Sequence, residues 1–67
     1  MDIQMASTPR EIGAVLKHAR ESLNYSLADL SEACGLPSEE IVAVEAGTTK
    51  VPDHATRIAL SLGVKLG

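Results

Sequence analysis

The sequence predicts an all-α domain of four helices, or five if the tail adds one. Apolar residues recur at three- and four-residue spacing in separate stretches, and β-branched residues are scattered rather than alternating. Capping residues, Pro and Gly stand where each stretch begins and ends. Size narrows the choice further. A chain of 67 residues is one domain, here residues 1–67, and 45% hydrophobic content with Tyr25 as the only aromatic requires a core of Leu, Ile, Val and Ala.

The first helix is expected over residues 9–23. Thr8 can cap it, Pro9 suits its first position and Glu11 can close a capping box. Ile12, Val15, Leu16, Ala19 and Leu23 form its apolar stripe, and Asn24 suits the left-handed turn that ends a helix. The second helix, 27–34, starts at Ser26 with Asp29 three residues on and stops at Gly35. Its apolar side is Leu27, Leu30, Ala33 and Cys34.

Pro37 or Ser38 begins the third helix, 38–46, with Glu39 and Glu40 in its first turn and Gly47 as its stop. Asp53 is expected to cap the fourth, 53–62, with Gly63 as terminator. Residues 1–7 read as a flexible start and 64–67 as a tail. The predicted core is Ile12, Val15, Leu16, Ala19, Leu30, Ile41, Val44, Ile58 and Leu62.

Composition excludes several classes of function. The apolar runs are far too short for a membrane span, and 1–6 lack the pattern of a signal peptide. Cys34 is the single cysteine, which rules out an internal disulfide and agrees with a reducing cytoplasm. His18 and His54 have no cysteine or carboxylate at metal-ligand spacing, and both are expected at the surface. Without a glycine-rich phosphate loop or a catalytic constellation, the sequence predicts no enzyme, cofactor, metal or small-molecule substrate.

Two short helices joined through Gly35 are the core of a helix-turn-helix. The residues around them make the resemblance specific: Leu16-Lys17-His18-Ala19-Arg20, Ser26-Leu27-Ala28-Asp29-Leu30-Ser31-Glu32, Gly35-Leu36, Ile41-Val42-Ala43-Val44-Glu45-Ala46-Gly47, Ile58-Ala59 and Leu62-Gly63-Val64. From 12 to 64 the chain resembles the Cro and phage-repressor family of helix-turn-helix domains, often called XRE-type. That resemblance implies a lambda-repressor-like domain that regulates transcription, binding duplex DNA as a homodimer. It also implies an ion pair between Arg20 and Glu45, and phosphate contacts from Lys17 and the loop around Lys50.

The departures bear on function. Leu27 stands where the family usually has Gln. The outward positions of the third helix, where the family carries polar and basic residues, are Ser38, Glu39, Val42, Ala43 and Ala46. No base lies between Leu36 and Gly47, and the net charge is −3. Base reading relies on donors such as Arg, Asn and Gln, and carboxylates are repelled by phosphate. The stretch from Gly47 to Ile58 is also about one residue shorter than the family pattern, with Pro52 one place late. The sequence therefore leaves two readings: a DNA-binding regulator, or a degenerate helix-turn-helix that regulates by binding another protein, as an antiactivator or antitoxin does. In both, the expected contact residues are Lys17, Ser38, Glu39, Val42, Ala43 and Lys50.

Overall fold

Local capping chemistry starts the first two helices. In the computed structural model, which describes residues 8–65, the Thr8 hydroxyl accepts the Glu11 N–H at 3.1 Å and the Glu11 carboxylate accepts the Thr8 N–H at 3.3 Å. This reciprocal box, with Pro9 behind it, opens α1 (Pro9–Ser22). Asn24, in a left-handed conformation at φ 60, turns the chain out of α1. Ser26 and Asp29 repeat the box at 3.0 Å in each direction and open α2 (Leu27–Cys34). The bonds from Ser26 hold the Asp29 carboxyl below its ordinary range.

The other two helices start without a side-chain cap. Pro37 precedes α3 (Ser38–Ala46), and Glu39 and Glu40 stand beside its unpaired N–H groups. Helix α4 (Pro52–Leu62) begins one residue before the expected start, and Asp53 is not its cap. The fixed φ of Pro52 suits the first helical position, and the Val51 N–H is taken by the Thr49 hydroxyl at 3.2 Å. The described residues hold four helices and no strand, and Val64 and Lys65 follow α4 outside any helix. The expected flexible start, 1–7, and the tail's last two residues, 66–67, lie outside the described residues.

Each of α1 and α2 packs on both α3 and α4, and the α1–α3 interface is the largest. The core is Leu16, Leu30, Cys34, Leu36, Ile41, Val44, Ile58, Ala59 and Leu62. Ile12 and Ala19 are partly buried against it. Val15, expected inside, is 37% exposed, and Leu23 and Ala33 are exposed as well. Val15 sits about 100° around the helix from Leu16. α1 meets its neighbours along the line of Leu16, and Val15 falls at the edge. In the other direction, Leu36 in the turn joins the core although it was not expected there, and Ala59 on α4 faces inward with Ile58 and Leu62 as the sequence predicts.

No described helix is long and apolar enough to cross a membrane.

Leu16→Ala leaves a cavity in a fully buried site and should cost about 2–5 kcal/mol. Val15→Ala, at the edge, should cost only about 0.5 kcal/mol. Thermal melts of the two variants read the difference; equal losses would place Val15 in the core.

Candidate functional site

The site rests on how closely α1 approaches α3. Gly13 is buried in α1. A Cβ built there would lie 2.7 Å from the carbonyl carbon of Glu45 and closer still to the Val44 and Glu45 oxygens, so no side chain fits. At the end of α3, Gly47 adopts φ +79, and a Cβ there would lie 2.8 Å from the Arg10 Cα. Two absent side chains thus let the two backbones touch at both points.

That approach brings Arg20 within reach of Glu45. Arg20 Nε donates to Glu45 Oε2 at 2.7 Å, and Nη2 donates to Oε1 at 3.3 Å. Nη1 donates to the Tyr25 carbonyl at 2.9 Å, tying in the α1–α2 turn. The side chains of Arg20 and Glu45 are 11% and 8% exposed. The hydrogen bond to Glu45 holds the Arg20 guanidinium above its ordinary pKa. A two-pronged pair of this kind fixes orientation as well as distance, so it sets how α3 sits on α1.

Beside this pair lies a shallow cavity of about 280 Å³, lined by Lys17, Arg20, Leu27, Val42, Glu45 and Ala46. Arg20 and Glu45 spend their charges on each other. What remains is an apolar floor with one exposed cation, Lys17. Val42 is 49% exposed and Ala46 is exposed, whereas Leu27 is partly buried against the core.

Of the expected contact residues, Lys17 and Val42 meet in this cavity. Glu39 is exposed one turn before Val42 on α3, while Ser38 and Ala43 are partly buried. Lys50 is exposed in the α3–α4 loop and does not line the cavity. Leu27 and Ala46 were not among the expected contacts. A missing glutamine at 27 marked a departure, but only the packing of α2 beside α3 puts the leucine next to Val42.

A second cluster holds His54, expected at the surface, partly buried. Glu40 is not a freely solvated acid: it accepts from the Thr49 hydroxyl and pairs with His54 Nδ1 at 2.8 Å. His54 therefore has a carboxylate partner, 14 residues away, and both side chains are about three-quarters buried. The α3–α4 loop folds back to make this contact, which linear spacing does not reveal. Hydrogen bonds from His54 and then Thr49 hold the Glu40 carboxyl below its ordinary range. The result for the α3 surface is specific. Glu40 is committed toward α4, Glu45 toward α1, and Glu39 is left as the outward acid.

No protein-family model matches this chain, and no curated protein matches it.

Removing one member of the α1–α3 pair should be costly. Arg20→Ala should destabilise by about 1–3 kcal/mol, because Glu45 is left largely buried without its donor. An unchanged melting temperature would show that the pair contributes nothing to stability.

Glu40 sets a pH dependence. Its folded pKa is lowered, so the unfolded chain binds the proton more readily and acid favours unfolding. Its contribution is present above the ordinary carboxylate range, near pH 4.3, and is lost as pH falls through the folded pKa. Glu40→Gln should be less stable than the wild type at neutral pH and should lose less on acidification. Parallel melting-temperature profiles from pH 7 to 3 would disprove the linkage.

Proposed function

We propose that this chain is a helix-turn-helix regulator of the Cro and phage-repressor type that acts by binding a protein partner through the face formed by α1, α2 and α3. The observation that carries this reading is the chemistry of the outward row of α3. It presents Glu39, Val42 and Ala46 beside Leu27, and it has no side chain of the kinds that read base edges most strongly. A dry, uncharged centre with a charged margin suits a protein surface, where burial of apolar area drives association. A phosphate backbone rewards cations, and the arginine nearest this face is already paired with Glu45. The size of the domain and its solid core agree with a binding role.

A second reading, duplex DNA bound by a homodimer at a two-fold site, is favoured by one observation. Lys17 is exposed beside Val42 and Ala46, where an ammonium could meet a phosphate as α3 enters a groove.

Random duplex DNA at low salt separates the two. The informative variant is Glu39→Lys alone, since reversing Glu40 would break its contacts with Thr49 and His54. On the protein-binding reading, the NMR resonances of Leu27, Val42 and Ala46 stay unperturbed by DNA in both the wild type and Glu39→Lys. A salt-sensitive perturbation of those resonances that strengthens in Glu39→Lys and disappears in Lys17→Glu would establish the DNA reading instead.

A further inference from the structure

A second opening lies on the other side of α3 from Val42. It is a cleft between Pro9 and Ile12 of α1, Val44 of α3, and Pro52 and Ala55 of α4. Val42 and Val44 stand about 200° apart around the helix, and this cleft shares no residue with the cavity beside Arg20. Among the described residues its walls carry no charge. Thr49 brings the one hydroxyl, and that group already donates to Glu40 and accepts the Val51 N–H. Ile12 and Ala55 are only partly buried against the core, so the cleft shows solvent the apolar surface that helix packing leaves uncovered. It holds about 120 Å³, a little less than the roughly 150 Å³ apolar cavity that takes one benzene ring. That is room for one medium-sized apolar side chain.

Such a side chain is within reach on the chain itself. Residues 1–7 join the described chain at Thr8, whose backbone is extended, and the next residue, Pro9, stands in the wall of the cleft. Met1, Ile3 and Met5 alternate with Asp2 and Gln4. In an extended segment that alternation puts the apolar side chains on one face and the polar ones on the other. Ser7 occupies the position from which a hydrophobic residue would staple onto Ile12, so that contact is left for a residue further back. Met5 is four residues before Pro9, a span of up to about 13–14 Å. Its unbranched thioether side chain suits an irregular gap.

We propose that Met5 inserts into this cleft, so that segment 1–7 lies across the junction of α1, α3 and α4. The insertion ties the start of α1 to the start of α4 and extends the core by one side chain. It leaves Leu27, Val42 and Ala46 uncovered, and so stands whichever partner that face takes.

Methyl-labelled methionine reads the insertion in the full chain, because Met1 and Met5 are its two methionines. The Met5 methyl should show NOEs to the Ile12 and Ala55 methyls, and these should persist on dilution. Met5→Ala should lower the melting temperature by roughly 4–8 °C, the shift that loss of a modest buried contact gives in a domain of this size. Met5→Leu should keep most of the stability. In Ala55→Leu, whose larger side chain takes up the cleft, the NOE to Ile12 should vanish and Met5→Ala should cost nothing further. Benzene should shift the Ile12, Val44 and Ala55 methyls in Met5→Ala and much less in the wild type. Absent NOEs, or a melting temperature that Met5→Ala leaves unchanged, would overturn the proposal. So would NOEs lost on dilution, which would place Met5 in a second copy, or equal benzene shifts in the two proteins, which would make the cleft open to small ligands. If Ala55→Leu does not fold, the NOEs and the benzene comparison decide by themselves.

Discussion

Contact between the backbones of α1 and α3 is the constraint on which the rest of this domain depends. Gly13 and Gly47 remove the two side chains that would hold the helices apart. The Arg20–Glu45 pair then closes over the approach with a fixed two-point geometry. Neither device would serve without the other. The glycines permit closeness but do not define an angle, and the ion pair defines an angle only for groups already within reach. With α1 and α3 locked, Leu16, Ile41 and Val44 are forced into one layer, and α2 and α4 cover it with Leu30, Ile58 and Leu62.

The same lock shapes the outer surface. α3 carries three glutamates, and the fold gives each a different fate. Glu45 turns inward to Arg20, Glu40 is held by Thr49 and His54, and Glu39 remains in solvent. A helix that looks strongly acidic in sequence therefore shows a single acid on its outward row, followed by Val42 and Ala46. In the cavity beside α3 the positive charge is thinned in the same way, because Arg20 is consumed and Lys17 is left. The surface that results is nearly neutral and apolar at its centre. The proposed protein contact rests on that chemistry.

The His54–Glu40–Thr49 cluster plays the corresponding part on the far side of α3. It joins the first turn of α3 to the first turn of α4 across a loop that gives α4 no side-chain cap. Thr49 serves both ends, since its hydroxyl donates to Glu40 and accepts the Val51 N–H. The Thr49 hydroxyl on the Val51 N–H and the fixed φ of Pro52 set the start of α4 at Pro52 and not at Asp53.

Helix number, order and most boundaries were legible in the residues, because capping boxes at Thr8 and Ser26 and stops at Asn24, Gly35, Gly47 and Gly63 are local chemistry. The innermost core residues were legible too, since Leu16, Leu30, Ile41 and Ile58 each lie on the apolar face of their own helix. The edges were not. Whether Val15 lies inside or outside depends on where a neighbouring helix ends, and helical periodicity does not hold that information. The Arg20–Glu45 pair was visible only through resemblance; nothing in a 25-residue separation announces it. Gly13, Leu27 and the Glu40–His54 contact took their roles from tertiary structure alone. A glycine inside a helix, a leucine at a helix start and a histidine in a first turn have no distinctive local pattern. What gives them a role is the chain segment packed against them, and that segment is distant in sequence.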